Sequence, residues 1–252
     1  MKDLENYNDY NILVTGGSGQ VGSNLKFQRN NSDFNFFFPT SKELNFLKPE
    51  TIENYLDSKD FHMIINLAAY TDVDKSEIEK DKSNIINNLA LKKISIEANK
   101  RNIYLIHSST DYVFGKKKNA PFDCLDEKNP VNHYGHTKSL GEEQILNNND
   151  KSIIIRFASV YSLYDNNFVK NIIRKLITES VVRVVFDQKI SLTYAGDFTS
   201  NISSIINLCL NTNKNDNRIF HFVSSQYTDW FSVASIVYDE INKLYGGSLK
   251  SK

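Results

Sequence analysis

Residues 11–22 read Asn-Ile-Leu-Val-Thr-Gly-Gly-Ser-Gly-Gln-Val-Gly, an apolar run that ends in a cluster of glycines. A short apolar run closed by turn residues reads as a buried strand. Ser23–Arg29, just beyond, has helical character. Strand, glycine loop and helix in that order open a parallel βαβ unit and commit the chain to an α/β fold. The spacing is Gly16-x-x-Gly19-x-x-Gly22, preceded by Thr15. Glycines let the backbone turn tightly and approach a pyrophosphate, while the helix start offers unpaired N–H groups and a positive dipole end. A plain strand–helix turn is the competing reading. The strand before the loop and the helix after it favour a nucleotide site.

More strands and helices follow in alternation. Phe34–Phe38 is expected as the second strand, Thr51–Leu56 as a helix and Met63–Leu67 as a third buried strand. Asp74–Lys80 reads as an exposed helix start, Asn84–Asn99 as a long helix and Ile103–Ile106 as a fourth strand. Ile153–Arg156, Val181–Phe186 and Ile219–Val223 read as further strands. Asn167–Thr178, Ser191–Leu210 and Trp230–Leu244 read as helices. This predicts a Rossmann-type, doubly wound parallel sheet, as one NAD(P)-binding domain over 1–252. A small C-terminal substrate lobe is expected, mainly in 157–252. No repeat, low-complexity linker or domain boundary interrupts it.

Composition removes several classes of function. Net charge is zero, which leaves no electrostatic case for nucleic acid or an anionic membrane. No apolar run reaches the ~18 residues of a membrane span, and the polar, acidic Met1–Tyr10 is not a signal peptide. Cys124 and Cys209 are isolated, with no metal-ligand spacing, so a reducing, cytoplasmic setting is expected.

After the second strand comes Pro39-Thr40-Ser41-Lys42. NAD sites usually carry an acidic residue here for the ribose 2′-hydroxyl. Hydroxyls and a lysine suit a 2′-phosphate, so NADPH is expected, with NADH also admitted because Glu43 lies close by.

The fourth strand leads into His107-Ser108-Ser109-Thr110-Asp111-Tyr112-Val113-Phe114. Ligands of open parallel sheets sit at the strands' carboxyl ends, so Ser109 and Thr110 are delivered towards the glycine loop. The next helix carries Tyr134 and Lys138, four residues apart and therefore on one face. A phenol titrates near pH 10, and a neighbouring cation lowers that value, making a proton donor or acceptor for a carbinol or carbonyl oxygen. Spacing alone is weak support. The chain has 13 tyrosines, and Tyr55/Lys59 and Tyr112/Lys116 share the interval. Position discriminates: Tyr55 lies on the wrong side of the sheet and Tyr112 in a turn. His133 and His136 lack a third metal ligand and read as exposed helix positions. Ser108 and Ser109 beside His107 lack the Gly-x-Ser-x-Gly elbow of a hydrolase.

With Gly16/Gly19/Gly22, Ser109–Phe114 and Tyr134-Gly135-x-x-Lys138 in order, the chain resembles the extended short-chain dehydrogenases/reductases. More narrowly it resembles the dTDP-4-dehydrorhamnose reductase family. Asn66–Glu77 (Asn-Leu-Ala-Ala-Tyr-Thr-Asp-Val-Asp-Lys-Ser-Glu), Ser109–Phe114, Asn166-Asn167-Phe168-Val169 and Asp187-Gln188 carry that likeness. It implies hydride transfer from NADPH to C4 of a nucleotide-linked 4-keto-6-deoxy sugar, dTDP-4-dehydrorhamnose becoming dTDP-rhamnose for polysaccharide biosynthesis. By the same resemblance Tyr134 gives the proton, Thr110 bonds the same oxygen, and Lys138 lowers the tyrosine pKa and holds the nicotinamide ribose. Gly16, Gly19, Gln20 and Val21 would meet the pyrophosphate, Asn45 and Phe46 the adenine. Ala68, Ala69 and Tyr70 would line the cofactor cleft, and Asn87 would stand for the helix asparagine that supports the proton relay. Asp111, Tyr112 and Ser159 would face the substrate.

The departures bear on the substrate. The family usually has a tryptophan, packed on the sugar, where Ser159 stands. Some members dimerise through metal-bridging glutamates, and Asn24 and Gly196 occupy those places, so no metal is expected and a homodimer stays one of the states the resemblance allows. Two alternatives remain open: a reductase for a different nucleotide-linked keto sugar, and a non-catalytic, nucleotide-binding regulatory subunit.

Overall fold

The structure is a computed structural model that describes residues 10–28, 34–115 and 121–245. Residues 1–9, Arg29 of the first expected helix and Lys116 of one tyrosine–lysine pair lie outside the described residues.

The described part begins with β1 (Asn11–Thr15), α1 (Gln20–Gln28), β2 (Asn35–Phe37), α2 (Glu50–Asp57) and β3 (Met63–Asn66). Then come α3 (Val73–Ser76), α4 (Lys80–Asn84), a π-helical turn at Ile85–Leu89, α5 (Ala90–Lys100) and β4 (Tyr104–Thr110). After a 3₁₀ turn at Asp111–Val113 follow α6 (His133–Asn148), β5 (Ser152–Phe157), β6 (Val160–Tyr161), α7 (Phe168–Thr178), β7 (Lys189–Ser191) and β8 (Thr193–Tyr194). The described part closes with α8 (Ala195–Ser200), α9 (Ile202–Asn211), β9 (Ile219–His221), β10 (Tyr227–Asp229) and α10 (Trp230–Leu244).

Six parallel strands form the main sheet in the order β2-β1-β3-β4-β5-β9. The winding reverses between β1 and β3, so a crevice opens at their carboxyl ends, where the glycine loop lies. Both faces of the sheet are buried, which explains why its strands are continuously apolar rather than alternating. On one face Ile12, Val14, Met63, Ile65 and Ile153 pack against Leu25 of α1, Phe198 of α8 and Ile205 of α9. On the other, Leu13, Ile64, Leu105 and Ile154 pack against Ile52 of α2, Leu91 and Ile94 of α5 and Ile145 of α6. A smaller core joins Ile172 and Leu176 of α7 to Ala234 of α10, with Val182 and Val184 packed on it. Among the described residues side chains cap four of the α-helices: Asp72 accepts from Lys75 N, Asn132 from Gly135 N, Asn167 from Lys170 N and Asp229 from Ser232 N.

The expected strand at Val181–Phe186 is absent. Val182 and Val184 do face a core, but that core is two helices, and among the described residues no strand lies alongside to pair with. Ser191–Leu210, expected as helix, starts with strand residues: β8 pairs with β6, and β7 pairs with β10. The fourth strand runs further than its apolar segment, through Ser108-Ser109-Thr110, because β5 continues the ladder to Thr110↔Phe157. No described helix is long and apolar enough to cross a membrane.

Candidate active site

A cleft of about 770 Å³ runs along the carboxyl edge of the sheet. One end is walled by Phe38, Thr40, Ser41, Asn45 and Phe46, the other by Thr110, Tyr134, Lys138 and Ser159. The glycine loop lies between. Gly16 has φ +70°, and a Cβ there would sit 2.5 Å from Ala68 N. Only glycine allows that turn and that approach to the chain leaving β3. A Cβ on Gly19 would meet only Gly16 O, at 3.5 Å, an ordinary contact. The protein itself therefore does not demand glycine at 19. A ligand drawn close to the backbone does.

Three side chains converge at the other end. Thr110 ends β4 and caps the 3₁₀ turn, accepting from Tyr112 N at 3.3 Å. Its side chain is hydrogen-bonded to the Tyr134 phenol. Lys138 follows one turn later on α6, and its Nζ donates to Ser108 O at 2.7 Å and lies 3.2 Å from His107 Nε2. Helix α6 can come this close because residue 135 is glycine, seated against the main chain of Tyr112. Tyr112 in turn packs edge-on against Tyr134, with centroids 5.5 Å apart.

Burial sets the protonation states. Desolvation pushes the Tyr134 phenol well above its ordinary range; the Thr110 hydrogen bond opposes this, and Asp111 and Tyr112 reinforce it. The expected lowering by Lys138 is not found, because the amine is turned towards Ser108 and His107. A phenol that keeps its proton is what a proton donor needs. Desolvation brings Lys138 down to about 8, with Glu142 pulling the other way. Asp111 keeps a solvent-facing edge, yet desolvation by the cleft walls raises its carboxyl to about 6, against the hydrogen bond from Thr110.

The cleft brings together Gly16, Gly19, Gln20, Val21, Asn45, Phe46, Ala68, Ala69, Thr110, Asp111, Tyr112, Tyr134, Lys138 and Ser159. Tyr70 is the exception. Asn87 clamps its main chain, accepting from Tyr70 N at 2.8 Å and donating to Tyr70 O at 3.0 Å. The Tyr70 ring is turned towards Lys82, and Thr71 lines the cleft instead. Asn87 is committed to that clamp and to Thr137, at the π-helical turn, so its amide positions the loop after β3. Of the loop after β2, Thr40 and Ser41 reach the cleft; the lysine there is Lys26 of α1, not Lys42. Glu43 accepts from both Thr40 N and Thr40 Oγ1, at 2.7 and 2.8 Å. Ser159 has φ +46°, a strained value for a residue with a side chain, and Asp165 on the same wall has +55°. Among the described residues no group of three or more His, Cys, Asp or Glu side chains is gathered to hold a metal ion.

Two buried networks escaped the sequence reading. Glu142, on the face of α6 that carries Lys138, accepts two bonds from Arg156 of β5, at 2.8 and 2.7 Å, and one from Ser109 at 2.6 Å. The other links Thr15 Oγ1 to Asn66 Oδ1 at 2.5 Å, and Asn66 Nδ2 to His107 Nδ1 at 2.8 Å. An acidic residue four positions after the lysine, and polar residues ending apolar strands, were the available signals.

A family model described as the RmlD substrate binding domain matches residues 10–246. A dTDP-4-dehydrorhamnose reductase of Aggregatibacter actinomycetemcomitans is 31% identical over 230 residues, covering 91% of this chain and 78% of that protein. The enzyme of the same description from Salmonella typhimurium is 32% identical over 238 residues, covering 92% and 79%. The crystal structure of dTDP-4-dehydrorhamnose reductase from Bacillus anthracis in complex with NADP superposes with a TM-score of 0.87 at 27% identity. It covers 97% of this chain and 84% of that one.

Proposed function

The chain belongs to the dTDP-4-dehydrorhamnose reductase family, and on that premise we propose that it reduces dTDP-4-dehydrorhamnose to dTDP-rhamnose with NADPH, NADH serving as well. The observation that carries the reading is the Tyr134 phenol, hydrogen-bonded to Thr110, one helical turn before Lys138 and in one cleft with the glycine loop.

The residues present fit a nicotinamide dinucleotide. The φ at Gly16 and the open side of Gly19 leave backbone N–H groups free of Cβ obstruction. The cleft is elongated, with Asn45 and Phe46 at the end assigned to adenine. Thr40, Ser41 and Lys26 are suited to a 2′-phosphate. When bound, the reduced nicotinamide supplies the hydride that the sugar carbonyl carbon receives. Thr110 Oγ1 and Tyr134 Oη hold the carbonyl oxygen between them. Tyr134 then yields its proton to that oxygen as negative charge grows there. Lys138, as an ammonium, orients the ribose, and the Thr110 hydrogen bond favours the phenolate left behind. Burial excludes competing water.

Asp111, Tyr112 and Ser159 form the substrate side in this reading. The α7–α10 unit, with its own small core, acts as the lobe that covers the nucleotide sugar. Free Cys124 and Cys209 suit a cytoplasmic setting.

The test is oxidation of NADPH in the presence of dTDP-4-dehydrorhamnose, with Tyr134→Phe as control. Turnover lost in the control supports the reading. Well-folded protein that turns over only another nucleotide-linked keto sugar would replace the substrate, a reading that Ser159 on the wall favours. Binding without turnover of any such sugar would make the chain a regulatory subunit.

A further inference from the structure

Thr15, Asn66 and His107 occupy matching positions on three adjacent strands: Thr15 pairs with Asn66, and Asn66 with His107. Two residues earlier the same strands align Leu13, Ile64 and Leu105, which pack beneath α5 and α6. Side chains two apart on a strand share a face. The three polar residues therefore form a row on the α6 side of the sheet, one step nearer its carboxyl edge. Their exposures are 2%, 0% and 0%. Buried polar groups are costly unless bonded, and each of these is bonded to the next. The row ends on Lys138 Nζ, itself 2% exposed. At its other end Thr15 Oγ1 also accepts from Ala68 N at 3.4 Å, directly beneath the glycine loop.

Proton counting makes this row directional. An ammonium has no lone pair. Opposite an ammonium, His107 Nε2 must accept, its proton must sit on Nδ1, and Asn66 must turn its oxygen towards that proton. The Asn66 amide hydrogens then face Thr15. A neutral amine has a lone pair, so opposite it every bond is free to run the other way, with Asn66 Oδ1 accepting from Thr15 and Asn66 Nδ2 donating to His107. The Asn66 amide lies here with Oδ1 towards Thr15 and Nδ2 towards His107, and turning it over gives the other order.

We propose that His107 is a positioning residue that acts through Lys138, joined by Asn66 to Thr15 in a chain whose hydrogen-bond direction follows the charge on the lysine. The chain ties the base of the glycine loop to the amine that orients the nicotinamide ribose, and so rests on the cofactor reading above. Desolvation brings the lysine to about 8, so its charge changes close to physiological pH. The groups that face it are His107 and the Ser108 carbonyl from β4 and Glu142 from α6, with Tyr134 one turn earlier on the same helix. Asp111 acts on Tyr134, and Arg156 of β5 is paired with Glu142. His107 is held neutral by burial first and by the Lys138 charge second, so the imidazole orients the amine without adding a charge of its own.

The test is NADPH affinity, read by NADPH fluorescence, as a function of pH. In the parent protein, affinity falls as pH rises through about 8 and the ammonium is lost. His107→Phe removes an acceptor from the ammonium, and the midpoint moves down by about one pH unit, a tenfold change in proton affinity. His107→Gln restores an acceptor and stays near the parent midpoint. Thr15→Val, at the far end of the chain, moves the midpoint in the same direction by less, and gives the answer if the Phe variant does not fold. An unmoved midpoint in folded His107→Phe and Thr15→Val overturns the proposal, as does a Gln variant that shifts as far as Phe. Parent protein that binds no NADPH at any pH overturns the cofactor reading and the proposal with it. Binding with an unmoved midpoint overturns the chain alone.

Discussion

Gly135 rests directly on the carbonyl oxygen of Tyr112: a Cβ at position 135 would lie 2.1 Å from it. Alanine is the better helix former by about 1 kcal/mol. That gain is outweighed, because a backbone oxygen in a 3₁₀ turn cannot step aside and α6 must retreat instead. Retreat separates Tyr134 from Thr110. Gly135→Ala is expected to lower the melting temperature and to reduce kcat by roughly tenfold to a hundredfold, the usual penalty for misplacing a catalytic group by about an ångström. Melting curves and steady-state kinetics of the variant check both.

Activity should fail on the alkaline side before the tyrosine titrates. Tyr134 is raised, so its proton stays in place over the working range. Lys138 is lowered to about 8, so the ammonium is present below that pH and lost above it. The log of kcat/KM should therefore fall above about pH 8, with a slope near one. A flat profile past pH 9 would contradict the assignment of the charge to Lys138.

Cofactor preference should turn on Glu43. Its carboxylate occupies the Thr40 N–H and hydroxyl, the donors that a 2′-phosphate would use. Glu43→Gln keeps a hydrogen-bonding side chain and removes the like charge. The ratio of kcat/KM for NADPH over NADH should rise by roughly fivefold, the size of one close charge contact in water. Lys26→Met should move the ratio the opposite way.

Glu142 and Arg156 are 0% and 2% exposed and joined by two hydrogen bonds. Removing one partner leaves the other charge buried alone, which costs about 3–5 kcal/mol. Glu142→Ala should lower the urea midpoint accordingly, whereas truncation of the neighbouring, exposed Glu143 should cost under about 1 kcal/mol.

The parts of the site that lie close together in sequence were readable there. β1, the glycine loop and α1 follow one another without interruption, so strand, turn and helix signals reinforce each other. Trp230–Leu244 was bounded correctly because Asp229 caps an amphipathic run. What could not be read depends on contacts between distant segments. Val181–Phe186 has strand composition, but pairing needs a neighbour, and its neighbours are helices. Tyr70 sits in the right motif, yet the Asn87 clamp turns its ring away. The positive φ at Ser159 is invisible in a serine. His107 next to two serines invited a comparison with hydrolases, while its partners lie one strand and one helix away.

The row of Thr15, Asn66 and His107 also bears on how the sheet assembles. Slipping any one of these strands by a single residue turns its side chains to the opposite face. Asn66 would then point among Ile12, Val14 and Ile65, and its amide would be buried without a partner. Each orphaned group of this kind costs about 1–3 kcal/mol. The neighbouring rows are aliphatic on both faces and would accept a misaligned strand at much smaller cost. The polar row thus supplies a penalty that valine, leucine and isoleucine cannot, and it makes one alignment of three interchangeable-looking strands the stable one during folding.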